Sequence, residues 1–270
     1  MANTIGFGQA AVNNTNGFGK APTNNTIDFG EVCADSWSPE TYLTGAGATP
    51  SFENTKSILL GGIDDYVDCG NPASLQITNT ITLSAWVKTT DTSSYEIVIG
   101  KDGVSTGTKS FLLYRSGSVA RFGVYKSNVG KFISGTTTIN DGNWHHIMGI
   151  NDGTDLKIYV NGTLEGTSIG NGGTFDNGTN TFYIGRRGGS PSQRAYFTGN
   201  IDEIAVWNTD QSANASAIGG TIPTDLTSYN PVSWWRCGDG DTSPTLTDNG
   251  SGGNDGTMES FTTFSTDVPT

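Results

Sequence analysis

The sequence has 270 residues, enough for one large all-β domain or two small ones with a hydrophobic core. Charged residues make up only 15% of the chain, and its 38 glycines suit many short strands joined by tight turns. The formal net charge of −12 repels phosphate backbones and anionic lipid, which argues against nucleic-acid binding. No window approaches the roughly 18 apolar residues of a membrane span, so we expect no membrane insertion.

Three consecutive segments near the start repeat one eleven-residue pattern: NTIGFGQAAVN, NTNGFGKAPTN and NTIDFGEVCAD (3–35). Each repeat has one phenylalanine followed by glycine, at Phe7, Phe18 and Phe29. A repeat this short cannot bury its phenylalanine against itself, so the segment is either disordered or bound to another surface. We predict an extended N-terminal arm (1–35) whose phenylalanines fill pockets on partner chains, as an anchor.

Residues 36–56 are rich in Pro, Gly and Thr and are predicted to be a linker. Short strand patterns follow, separated by Gly, Asn and Ser. ITLSAWVKT (81–89) alternates apolar and polar residues, as a half-buried strand does. LKIYV (156–160) is joined to TLEGTS by Asn-Gly, a strong hairpin signal. Only one short helix is predicted, at 210–218, so the sequence favours an antiparallel β-sandwich.

Five motifs resemble one family in both residues and order: LLGGIDDYVDCGNP, ITLSAWVK, GNWHHIMGINDGTDLKIYVNGTLEG, FYIGRR and FTGNIDEIAVWNTDQSANASAI. The series is similar to the laminin-G-like, concanavalin A-like jelly roll, which implies an all-β sandwich over 57–270. The tail SWWRCGDGDTSPTLTDNGSGGNDGT (233–257) resembles the segment that usually comes first in that family. We therefore expect 232–270 to return and complete the sandwich, because its Trp-Trp strand would otherwise lack a partner. The alternative is a separate adhesive tail.

The sequence contains no recognisable active site. Enzymes on the jelly roll that this chain resembles cleave polysaccharides with carboxylates of the Glu-x-Asp-x-x-Glu type, and no such triplet occurs. Asp202 and Glu203 are adjacent, so on a strand their side chains should point to opposite faces. His145 and His146 are the only histidines, and we expect hydrogen-bonded structural roles for them. We therefore predict that the protein is not an enzyme.

The resemblance to laminin-G-like domains also implies a structural Ca²⁺ at the sandwich rim. In that family an Asp of the Ile-Asp-Glu strand and an Asp-Ser-Gly-Asn-type loop hold the ion. The matching residues are Asp202 and, in the loop 248–255, Asp248, Asn254 and Asp255. Carboxylates and carbonyl oxygens in a glycine-rich turn are ligands that Ca²⁺ prefers. The alternative is that Asp202 caps a turn and the loop is simply polar.

Glycan binding would need aromatic and polar side chains on the rim or on the concave sheet. The candidates are Arg186, Arg187 and Tyr196, all in GRRGGSPSQRAYF, with Tyr114 and Tyr125 as further aromatic residues. The alternative is that Tyr114 and Tyr125 pack and the arginines pair with surplus acids. A fold shared with lectins is only a fold-level analogy.

The amino-terminal pattern, NTIGFG followed by NNTIDFGE, resembles the starts of virion structural proteins from marine tailed phages, several of which carry a laminin-G-like domain behind it. This resemblance, over about 3–43, implies a virion protein displayed as capsid decoration, fibre or adhesin. The implied partners are capsid, neck or tail proteins and further copies of the chain, for example in a trimer. The alternative function is a lectin-like carbohydrate-binding module that attaches to a host-surface glycan.

Three cysteines, Cys33, Cys69 and Cys237, are an odd number and lie far apart, which argues against a disulfide framework. Cys69 and Cys237 either form a bridge, if their strands pair, or are reduced, half-buried thiols. The start MANTIGFGQA lacks the basic and apolar regions of a signal peptide. We therefore expect folding in a reducing cytoplasm, in accord with a virion that assembles inside its host.

Overall fold

Short strands dominate the part of the chain that the structure describes, residues 52–189 and 195–270 of a computed structural model. They form two antiparallel sheets around a shared hydrophobic core, which confirms the predicted all-β sandwich. The predicted arm at 1–35, including Phe7, Phe18 and Phe29, lies outside the described residues.

Sixteen strands occur in the described residues. In chain order they are β1 (Ser57–Gly61), β2 (Tyr66–Asp68), β3 (Ile81–Lys88), β4 (Tyr95–Lys101), β5 (Phe111–Ser116), β6 (Val119–Lys126), β7 (Val129–Thr138), β8 (His145–Asn151), β9 (Leu156–Val160), β10 (Thr163–Ser168), β11 (Tyr183–Ile184), β12 (Thr198–Trp207), β13 (Ser233–Trp235), β14 (Thr245–Leu246), β15 (Gly256–Glu259) and β16 (Phe264–Ser265). Helical structure in these residues comprises α1 (Ala215–Ile218) and the 3-10 turns Ala73–Leu75, Ser212–Asn214 and Thr227–Tyr229. None of these helices has the length and apolarity that a membrane span needs.

The two sheets differ in their strand order, and the C-terminal segment contributes strands to both. Sheet A runs β10-β9-β8-β3-β12-β1-β16, and β13 also pairs with β12. Sheet B runs β14-β15-β2-β11-β4-β5-β6-β7. The segment after residue 232 therefore supplies strands to both sheets, with β13 and β16 in sheet A and β14 and β15 in sheet B.

The core lies between the sheets and contains alternate residues of their strands. On β3 the inward residues include Leu83 and Val87, as the alternation at 81–89 predicts. Trp235 of β13 is fully buried and stacks on Phe182, with 5.6 Å between ring centroids. The C-terminal segment thus supplies one of the largest side chains of the core.

The outer face of sheet A is also buried at β3, so the prediction of a half-buried strand at 81–89 is wrong in this respect. Ser84 and Trp86 point away from the core, yet they are only 0% and 4% exposed. Ile218 and Leu226, from the segment that contains α1, line a small cavity with them. A period of two predicts which residues face the core, but it does not predict what covers the opposite face.

Cys69 and Cys237 are both buried and free, so no disulfide joins them. Burial, with nearby carboxylates as a second cause, raises the pKa of both thiols well above the usual value. Both cysteines therefore behave as small apolar core residues. Cys33 lies outside the described residues.

Candidate functional site

The outer face of sheet B carries an aromatic side chain from each of six adjacent strands, β2-β11-β4-β5-β6-β7. Side chains along these strands point alternately to the two faces, so residues next to the aromatic ones, such as Val67 and Ile184, enter the core. The aromatic rings form two contact groups, Tyr66 with Tyr183 and Tyr95 with Tyr114, Phe132 and Tyr125, in edge-on or tilted contact with centroids 5.0 to 6.1 Å apart. We call this set the aromatic row; its members are Tyr66, Tyr183, Tyr95, Tyr114, Tyr125 and Phe132.

Cationic side chains lie over the rings of the aromatic row, where the negative ring faces attract them. The distances from the cationic centre to the ring centroid are 3.9 Å for Arg186 over Tyr66, 3.8 Å for Arg186 over Tyr183, 5.0 Å for Arg121 over Phe132 and 5.1 Å for Lys109 over Tyr125. Arg186 thus contacts two tyrosine rings at once, at the short end of this range.

The Arg186 guanidinium is buried without the partners that such a group needs. The residue is 5% exposed, and its Nε and Nη1 atoms have no hydrogen-bond acceptor. No described carboxylate forms an ion pair with it. Arg115, by contrast, is also buried but donates to the carboxylates of Glu96 and Asp91. An unpaired buried cation costs free energy, so a hydrogen-bond acceptor supplied from outside the chain would stabilise the Arg186 guanidinium.

Arg187 and Tyr196 occupy different environments near this face. The Nε atom of Arg187 lies 2.6 Å from Oδ2 of the buried Asp102, and its Nη2 donates to the Gly103 carbonyl at 3.0 Å. Burial raises the pKa of the Asp102 carboxyl to about 6, although Arg187 opposes this shift. Tyr196 is half-buried, with its ring centroid 6.4 Å from that of Tyr66.

Sequence reasoning missed Tyr66 and Tyr183, which hold Arg186. The sequence indicates their position only through alternation: each tyrosine stands next to a core residue on a short strand, so its side chain lies on the outer face. Tyr114 and Tyr125, considered from the sequence, are packed at 2% and 8% exposure. These two tyrosines pack within the outer face of sheet B and expose little surface to a ligand.

Three of the predicted calcium ligands already have hydrogen-bond donors. Asp248 accepts through Oδ1 from the backbone N–H of Trp234 and Gly250, and through Oδ2 from that of Asn254, all at 2.7 or 2.8 Å. The Asp255 carboxylate accepts from the Asp248 N–H at 2.9 Å, and the Asn254 side-chain oxygen accepts from a serine hydroxyl. N–H and O–H donors therefore occupy most of these oxygens, and no buried oxygen of the three residues lacks a donor.

Asp202 fits a cation better. It is fully buried, and its carboxylate accepts from the Asn54 side-chain amide at 2.9 Å and from the Glu203 N–H at 2.8 Å. The Asn54 Oδ1 is buried without a partner. Burial, followed by the neighbouring Glu203 carboxylate, raises the pKa of Asp202 well above its usual value. The described residues contain no group of three His, Cys, Asp or Glu side chains arranged for a metal. Calcium therefore stays a prediction, with Asp202 and the Asn54 oxygen as the fitting ligands.

A small polar cavity lies on the outer face of sheet A, lined by residues that include Ser84, His146 and Glu203. It has room for about one water molecule. Ser84 Oγ and His146 Nδ1 have no hydrogen-bond partner, and burial lowers the pKa of His146 to about 3. The cavity that these side chains line is too small for a substrate. Their arrangement is structural.

The family model of the concanavalin A-like lectin/glucanases superfamily (Laminin_G_3) matches residues 60–215. The chain belongs to this superfamily. The match covers most of the strands of both sheets, including those that carry Arg186 and the aromatic row. No curated protein matches the sequence.

One solved structure of another protein shows the same fold, and two others have lower TM-scores. A proposed carbohydrate binding protein from Bacteroides ovatus ATCC 8483 superposes with a TM-score of 0.64 at 19% identity, covering 81% of this chain and 62% of that protein. The chain thus spans less than two thirds of its length. The heptameric SAP-like pentraxin of Limulus polyphemus gives 0.46 at 17% identity (64% and 86% covered), and the CBM40 of the Ruminococcus gnavus IT-sialidase gives 0.49 at 14% (61% and 97%). At these identities the likeness concerns the fold alone.

Calcium at Asp202, a position of the superfamily fold, predicts a measurable stabilisation. Excess CaCl₂ should raise the melting temperature relative to EDTA, by the equivalent of about 2.7 kcal/mol when free calcium is about 100-fold above its Kd. Asp202→Asn should abolish this difference. Asp248→Asn is the control: it should lower stability in both conditions, because an NH₂ group replaces the oxygen that accepts from the Asn254 N–H, but keep the calcium response. Equal melting of the wild type in both conditions would refute calcium binding.

Burial of His146 predicts an acid-labile contribution to stability in this member of the superfamily. Its folded-state pKa of about 3 lies below the ordinary 6.5. Its contribution is therefore fully present above pH ~6.5 and is lost as the pH falls toward 3, at about 1.4 kcal/mol per pH unit. Between pH 7 and 5, the unfolding free energy of the wild type should fall about 2 kcal/mol more than that of His146→Gln, measured by urea denaturation. Equal losses in the wild type and in His146→Gln would contradict the assignment.

Proposed function

We propose that the β-sandwich is a carbohydrate-binding module and that its glycan-binding surface is the outer face of sheet B. The observation that carries this proposal is the aromatic row with cationic side chains over its rings. Sugar rings present C–H groups that stack on aromatic rings, and their hydroxyls need nearby polar groups. A sheet face that combines the two is suited to a saccharide.

The accessible part of this face is a cluster at the β2–β11 side. Tyr66, Tyr183 and Tyr196 are partly exposed there, around Arg186, whereas Tyr114 is nearly buried. We call Tyr66, Tyr183, Tyr196 and Arg186 the tyrosine–arginine cluster. We assign the first contacts with a glycan to its tyrosine rings. The superfamily, which includes lectins and glucanases by name, is compatible with such a ligand.

Removal of one ring from the cluster tests the assignment. Tyr183→Ala should weaken glycan binding by about tenfold or more, because a stacked aromatic contact is lost. Tyr229→Ala, a half-buried tyrosine outside sheet B, is the matched control and should bind as the wild type. Binding is measured by affinity electrophoresis and isothermal titration calorimetry after a glycan array has selected the saccharide. An array without binding would refute the proposal, and release of reducing sugar from a polysaccharide would show an enzyme instead.

A second candidate function, display on a phage virion, is favoured by the three repeats at 3–35. In this proposal the arm anchors the chain to capsid, neck or tail proteins, and the sandwich faces outward as decoration, fibre or adhesin. Assembly would take place in the host cytoplasm. The two functions are compatible, since many displayed copies convert weak glycan contacts into high avidity.

The virion proposal predicts a separable anchor. Particles purified from producing cells should contain the wild-type chain, detected by mass spectrometry. The triple variant Phe7→Ala, Phe18→Ala, Phe29→Ala should be lost from particles, because the side chains that fill partner pockets are removed. Its sandwich should keep the wild-type melting temperature. Full incorporation of the triple variant would show that these phenylalanines are not the anchor, and absence of the wild type from particles would remove the virion function altogether.

A further inference from the structure

We infer that the tyrosine–arginine cluster binds an acidic glycan and that a carboxylate or sulfate group of this glycan pairs with the Arg186 guanidinium. This inference rests on the proposed glycan-binding function and adds the chemical class of the ligand. It follows from the hydrogen bonds that Arg186 lacks, from the charges around it and from the way in which its guanidinium is held.

The missing hydrogen bonds of Arg186 match an oxyanion. Its Nε and Nη1 atoms are both without an acceptor. A guanidinium presents its N–H groups in planar forks, Nε with Nη2 and Nη1 with Nη2, and a carboxylate or sulfate meets either fork with two oxygens. A neutral hydroxyl supplies one acceptor and leaves the charge uncompensated. The oxyanion therefore satisfies both requirements of this side chain.

Three other buried or half-buried arginines of the described residues have carboxylate partners within the chain, whereas the half-buried Arg121 has none and lies over the Phe132 ring. Arg115 pairs with Glu96, Arg187 with Asp102, and Arg236 with Glu203. In a chain with 26 acidic and 14 basic residues, partners for a cation are abundant. Of the two described arginines without a carboxylate partner, Arg186 is the more buried, and two of its nitrogens, rather than one, lack an acceptor.

Charges on the two sides of the cluster differ. Toward β15, the strand register places Asp68 beside Tyr183 and Glu259 beside Tyr66, yet neither carboxylate forms an ion pair with Arg186. Toward β7, the same face carries Lys109 and Arg121 over aromatic rings. The face thus becomes positive from Arg186 toward β7, and an acidic chain is favoured along that direction.

The guanidinium is also held in place before any ligand binds. Its contacts with the rings of Tyr66 and Tyr183, at 3.9 and 3.8 Å, leave only 5% of the residue exposed. A pre-ordered cation loses little side-chain entropy on binding. The surrounding rings exclude water, which strengthens an ion pair formed there.

The test uses polysaccharides that differ only in their acid groups. Polygalacturonate is compared with its methyl ester, and dextran sulfate with dextran, by affinity electrophoresis and calorimetry on the full chain. At least one acidic member should bind about tenfold or more tightly than its neutral counterpart, and the pair that does so distinguishes carboxylate from sulfate. Arg186→Gln should reduce that binding by about tenfold or more.

Two further variants separate the cluster from general charge attraction. Lys157→Gln removes one positive charge from sheet A and should bind as the wild type. Arg186→Lys keeps the charge but loses the planar fork, and it should bind the acidic polysaccharide more weakly than the wild type. Thermal unfolding and near-ultraviolet circular dichroism show whether each variant is folded. If Arg186→Gln fails to fold, Arg186→Lys decides.

The remaining outcomes overturn one proposal or both. If neutral glycans bind, and Tyr183→Ala weakens them while the Arg186 variants do not, the glycan-binding function stands and the acidic class is wrong. If acidic polymers bind but Arg186→Gln and Lys157→Gln weaken them equally, the binding is unspecific and the inference fails. If neither the acidic and neutral polymers nor the glycan array shows binding, both the inference and the proposed function fail.

Discussion

Strand β12 is the constraint on which the two-sheet arrangement depends. One edge pairs with β3, whereas the other pairs first with β1, where Ile201 faces Ile58, and then with β13, where Ile204 faces Trp235. A register shift between these two regions places Glu203 at a φ of +44°. Such a bulge bends its strand, and here it gives the C-terminal segment a place beside the first strand. The core then receives Trp235 from that segment.

The buried charged residues of this protein differ in whether hydrogen bonds and ion pairs inside the chain compensate their charge. The Asp248 carboxylate accepts three backbone N–H groups and so holds the C-terminal loop. Arg115 is compensated by two carboxylates inside the chain. Asp202 and Arg186 lack an ionic partner of opposite charge among the described residues. Since an uncompensated buried charge is costly, an external ion or ligand would be stabilising at these two residues.

The proposed functions divide the chain into two tasks. The sandwich supplies a rigid sheet face, on which cross-strand neighbours hold aromatic and cationic side chains in register. Repeats at 3–35 supply the proposed attachment to a particle. A sheet face with several partly exposed rings suits weak, repeated contacts with a polymer, and multivalent display would raise their combined affinity.

The sequence by itself determined the all-β class, the inward residues of β3 such as Leu83 and Val87, and the superfamily motifs, because these depend on short periods along the chain. It also indicated Arg186 and Arg187 as candidates but did not distinguish them. Only the tertiary structure decided that Arg187 pairs with Asp102, whereas Arg186 lies unpaired between Tyr66 and Tyr183. The physical reason is that strand periodicity determines which face a side chain occupies, whereas its neighbours come from strands paired across long sequence separations.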